Sequence, residues 1–196
     1  TILTTVVIAG VVPAVLIAHQ DDPKIKDLQP AVKADAFRLA EHPAGLRNIG
    51  GFDSENVVLH SWLPLNELDG ADSGNDSWGW TDPQDGKEYV LMGLENGTAF
   101  IDISTPTSPV YLGKLPTHSS STLWRDVKVY QNHAFIVSEA GGHGMQVFDL
   151  TRLRNVSNPP VTFTEDAHFN QFGGAHNIVI NEASGFAYVV GANTYG

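Results

Sequence analysis

The sequence predicts an all-β protein, and three observations predict it. Short apolar runs with period-two alternation recur from Asn48 onward, each bounded by Gly, Asn, Asp or Pro. Related runs return after roughly 40–50 residues, the period of a unit carrying three or four strands. The 19 glycines and 11 prolines among 196 residues supply the turns such a chain needs.

Thr1 to Ala18 carries no charge, and His19 to Lys24 is abruptly polar. Residues 1–18 read as the apolar core of a secretory signal peptide without its Met and basic start. A retained membrane anchor and a buried core element are the competing readings. Residues 19–47 form a mostly polar linker, in which Val32, Ala36, Leu39 and Ala40 have the spacing of a short helix over Ala31 to Glu41.

Residues 48–196 read as one β domain. Asn56 to Leu63 is its first strand, and Glu67 to Trp80 is a polar loop rich in Asp, Gly, Ser and Asn. Lys87 to Leu94 and Thr98 to Ile103 form a hairpin around Glu95-Asn96-Gly97, where Asn-Gly favours a type I′ turn. Ser104 to Pro109 turns the chain into the strand Val110 to Leu115. Trp124 to Leu150 holds three strands, with turns at Gln131-Asn132-His133 and Ala140 to Gly144. Val161 to Thr164 is a strand, Asn170 to Ala175 a loop, and Asn177 to Asn181 and Phe186 to Val190 a hairpin through Glu182 to Gly185.

These segments align as repeats. Lys87 to Ile103 matches Asn132 to Leu150, with Tyr89 on Phe135 and Asp102 on Asp149. His176 to Val190 matches Arg125 to Val137, with Asn177 on Asp126. A single such sheet cannot bury both faces, so units must stack side by side as the blades of a β-propeller do. The last unit lacks its returning strand, so the sequence predicts an incomplete propeller whose remaining blades lie beyond Gly196.

The run Phe100 to Leu115, FIDISTPTSPVYLGKL, resembles the LVIVD-repeat pattern, a strand ending in Asp-Ile or Asp-Leu followed by a Pro-containing turn and a short strand. With SWGWTDPQDGKEYVLMGLENGTAFIDIS, WRDVKVYQNHAFIVSEAGGHGMQVFDL and AHNIVINEASGFAYVVG, the chain from Arg47 onward resembles exported proteins of the choice-of-anchor B family. The resemblance implies an LVIVD β-propeller in a secreted or surface-attached protein. It implies no reaction.

The formal charge of −11, from 22 acidic and 11 basic side chains, argues against nucleic acid or an anionic membrane surface as partner. There is no cysteine, which excludes disulfides, zinc thiolates and cysteine nucleophiles.

Three groups of residues can carry chemistry. Asp69, Asp72, Asn75 and Asp76 gather oxygen donors in one loop and suit Ca²⁺, although the spacing is not that of an EF-hand. The plainer reading of that loop is a solvated turn. His143, His168 and His176 lie near turns, with His118 and His133, and neutral imidazoles brought together there suit a transition metal. Arg125-Asp126, matched by His176-Asn177, enters the first strand of each unit and serves as a hydrogen-bond network between units or as the floor of a ligand site. Glu139 and His143 extend that ligand set. No G-x-S-x-G elbow or P-loop is present.

The sequence therefore predicts an exported, cell-surface, periplasmic or extracellular binding module without catalysis, taking a protein or glycan partner. The alternative is a metal-dependent propeller hydrolase or oxidase that uses the histidine and acidic loops.

Overall fold

A computed structural model describes residues 35–39 and 57–193. The expected export segment, most of the linker and the residues after 193 lie outside them. The described chain is mostly β-sheet, arranged as several small antiparallel sheets. None of its helices is long and apolar enough to cross a membrane.

β1 (Phe37–Arg38) pairs antiparallel with β2 (Ser61–Trp62). The helix expected over Ala31 to Glu41 is thus replaced by a strand at its centre. The Leu39 amide donates to the His60 carbonyl, and Phe37 is buried. Tertiary pairing outweighs helical spacing here. β2 is shorter than the strand expected over Asn56 to Leu63, and Val57 and Val58 are exposed.

β3 (Gly74–Thr81), β4 (Glu88–Leu94), β5 (Gly97–Asp102) and β6 (Val110–Pro116) form an antiparallel meander. β7 (Arg125–Tyr130), β8 (His133–Ser138) and β9 (Met145–Asp149) form a second, whose outer edge is β11 (Ala167–Phe169). Between β9 and β11 the chain crosses back, and β10 (Val161–Thr162) joins β6 in parallel. β12 (Asn177–Asn181) and β13 (Phe186–Val190) make a third, two-stranded sheet.

Three sequence expectations change. The Glu67 to Trp80 loop contains most of β3, a strand whose only buried residue is Trp80. It lacks apolar alternation, and pairing to β4 together with packing against β7 holds it. The type I′ geometry sits in another hairpin. Gln131 and Asn132 have φ of 46° and 62° between the paired Tyr130 and His133. The turn residues between Leu94 and Gly97 are Glu95 and Asn96, neither with positive φ. Tyr89 and Phe135 face alike, Tyr89 into the core between the first two sheets and Phe135 into the next core, but the ladders set them two residues out of register, because Tyr89 pairs with Asp102 whereas His133 pairs with Asp149. Asp102 and Asp149 do match, since each accepts from the backbone amide two residues on, Ser104 and Thr151.

The sheets stack with a core between each pair. Tyr89, Leu91 and Phe100 of the first meet Val127, Ile136 and Phe148 of the second. Phe100 and Phe148 stack with centroids 4.6 Å apart, and Phe163, carried in by the crossover, stands edge-on to both. Val137 of the second sheet meets Ile178 of the third, with Phe172 and Ala175 between. Such aromatic and aliphatic burial dominates the energetics of a fold of this kind.

Candidate functional site

β7 lies between β3 and β12, packed against both. The starts of these three strands therefore meet. They open a cleft of about 230 Å³ lined by Asn75, Asp76, Trp124, Arg125, Asp126, His176 and Asn177. Four residues expected as a ligand floor, Arg125, Asp126, His176 and Asn177, are brought together in it. Asn75 and Asp76, expected in a calcium loop, join them.

One bond recurs at each step between sheets. Asp76 Oδ2 accepts from the Val127 amide at 3.0 Å, and Asp126 Oδ2 accepts from the Ile178 amide at 2.6 Å. Each carboxylate thus satisfies a backbone donor on the next first strand, where an unpaired N–H would be costly. Lys128 Nζ bridges the two acids, 2.5 Å from Asp126 Oδ1 and 3.3 Å from Asp76 Oδ2. Burial works against both charges. It raises Asp126, and the neighbouring Asp76 carboxyl adds to that rise despite Lys128. At Asp76 the bonds with Asp126 and the Val127 amide and the Lys128 charge outweigh burial and hold the group below the usual range. The pair thus divides into a readily ionised member and a reluctant one.

Beneath the cleft, Arg125 is 1% exposed. Its Nε donates to the Leu94 carbonyl and its Nη1 to His143 Nε2, both at 3.0 Å. His143 Nδ1 donates to the Gly144 carbonyl, so the ring is neutral with its proton on Nδ1. Burial, aided by the Arg125 charge, lowers its pKa to about 4. Glu139 pairs with His176, Oε1 to Nδ1 at 2.5 Å, rather than with His143.

The remaining candidates lie elsewhere. Asp69 pairs with Lys114 at 2.8 Å, and the Asp72 amide donates to Glu95 Oε1. Among the described residues, the His, Asp or Glu ligand atoms that gather in threes within 4.8 Å belong to His118, Glu165 and His168. This cluster contains none of Asp69, Asp72 and Asp76, nor His143 or His176. A second cleft, of about 440 Å³, opens beside the other ends of β3 and β7, between Trp78, Trp80, Tyr130 and Glu182. Lys128 Nζ sits 4.6 Å over the Trp78 ring.

Sequence reasoning missed Lys128 and Glu165. Lys128 had a local signal, since it shares a strand face with Asp126 two positions away. Glu165 had none, being brought to His118 by the crossover through β10.

No family model, curated protein or solved structure matches the chain.

Proposed function

We propose that the protein is an exported β-propeller of the LVIVD-repeat kind that works as a non-enzymatic binding module, with the β3–β7–β12 cleft as its ligand site. The carrying observation is the cleft itself, formed where repeat-equivalent positions of three sheets converge. The recurring carboxylate-to-amide bond supports a repeated blade, because units related by a common rotation meet through equivalent atoms. The matched Asp102 and Asp149 turns support the repeat motif.

The lining fits a glycan. Trp124 supplies an aromatic surface, while Asn75, Asn177 and the acids supply donors and acceptors for hydroxyls. The cleft suits one sugar ring rather than a long chain. Export rests on the uncharged run from Thr1 to Ala18.

Glycan binding by calorimetry, preceded by an array screen, tests this. A bound glycan whose affinity falls at least about tenfold, or about 1.4 kcal/mol, in Trp124→Ala and Asn177→Ala, with thermal stability kept, is the expected result. A screen without hits, or binding indifferent to both variants, refutes the glycan site.

A further inference from the structure

We infer that His118, Glu165 and His168 form a binding site for a divalent transition-metal cation of the zinc type, separate from the proposed glycan cleft. His118 follows β6, Glu165 lies between β10 and β11, and His168 is the middle residue of β11. One ligand atom from each lies within 4.8 Å of the others. Two imidazoles and a carboxylate are the donor set zinc accepts with a position left open.

The surroundings orient these donors. His168 Nε2 donates to the His143 carbonyl at 2.7 Å, which leaves Nδ1 without the proton and free for a metal. Gln146, opposite His168 in the β9–β11 ladder, donates from Nε2 to Glu165 Oε2 at 2.7 Å and to the Pro116 carbonyl at 3.0 Å. That bond fixes one carboxylate oxygen and directs the other, Oε1, at His118 Nδ1, 2.8 Å away. A buried amide spent on orienting a carboxylate, and a carbonyl spent on a histidine tautomer, are the outer contacts metal ligands make.

The His118 and His168 rings stack at 3.5 Å, nearly parallel. Parallel rings cannot both direct a lone pair at one tetrahedral ion. Binding therefore turns one ring out of the stack. His118 is the one that turns, because it is exposed and its bond to Glu165 gives way to the shared ion. His168 stays, held by its strand and by the His143 carbonyl.

Titration of the full chain with Zn²⁺ at neutral pH, followed by calorimetry, tests the site, with Co²⁺ absorption as a readout of coordination. One equivalent binds, and Co²⁺ gives the intense visible bands of a four-coordinate ion. His118→Ala and Glu165→Gln, both at accessible positions, weaken binding at least tenfold, and Gln146→Leu weakens it about 10–100-fold through Glu165. His133→Ala and His176→Ala leave the affinity unchanged. Binding weaker than about 1 mM, or binding lost with His176 rather than with His118 and Glu165, overturns the assignment.

Discussion

Arg125 Nη1 donates to His143 Nε2 at 3.0 Å inside the protein, so a buried cation rests on a histidine that must stay neutral. The His143 ring donates in turn to the Gly144 carbonyl, which leaves Nε2 no proton to offer. Protonation would set a second positive charge against Arg125 and break the bond. The pair thus ties the start of β7 to the turn after β8.

A pH dependence of stability follows from the sign of this shift. The folded His143 has its pKa lowered to about 4, against an ordinary 6.5. Between these values the unfolded chain takes up a proton that the folded chain refuses. The stabilising contribution is complete above pH 6.5 and drains away as pH falls toward 4. By pH 5 it has fallen by about 2 kcal/mol. Urea denaturation of the wild type and of His143→Gln at pH 7.5 and pH 5 measures the difference. The wild type loses about 2 kcal/mol more than the variant, and an equal loss in both would refute the neutral-histidine account.

The Arg125 charge has its own signature. Burial is the larger cause of the His143 shift and Arg125 the next. In Arg125→Gln the charge is gone, and the shorter amide reaches only as far as the Arg125 Nε position, beside the Leu94 carbonyl. His143 then titrates at a higher pH than in the wild type, yet below its ordinary value, because burial remains. NMR titration of the imidazole reads this directly. An unmoved titration would show that the guanidinium charge is not felt by the ring.

The hairpins were legible because alternating apolar residues mark them. Phe186 to Val190 and Asn177 to Asn181 end where their turn chemistry says they should. β3 was not legible, because its interior face is made of pairing and polar bonds rather than apolar side chains. Asp76 consequently went unrecognised as the counterpart of Asp126, although the two make the same bond to the next strand. The cleft was half legible, through the repeated polar pairs at 125–126 and 176–177. The histidine–glutamate cluster was hidden because the parallel β10 crossover leaves no mark in a single sequence.

The carboxylate ladder between sheets is testable at Asp126. Asp126→Ala leaves the Ile178 amide without its acceptor and costs about 1–3 kcal/mol. Asp126→Asn keeps an acceptor oxygen for that amide and gives up the ionic bond with Lys128 and the carboxyl bond with Asp76. Hydrogen exchange at Ile178 separates the two. Protection falls in the alanine variant and persists in the asparagine variant, and similar protection in both would remove the ladder as a structural tie.

The crossover is testable at Gly113. This residue sits at φ 143°, and a Cβ built on it would lie 1.9 Å from the Val161 carbonyl oxygen. Backbone cannot yield as a flexible side chain does, so Gly113→Ala pushes β10 off β6. Phe163 follows, because its amide donates to the Lys114 carbonyl and its ring leans on Phe100 and Phe148. Overpacking of this kind costs about 1–3 kcal/mol, and the displaced ring adds to it. Gly141 is the control, with no atom within 4 Å of its built Cβ and no positive φ. Gly141→Ala stays within about 0.5 kcal/mol of the wild type. Denaturation midpoints compare the pair, and equal stabilities would mean that β10 does not hold the first two sheets together.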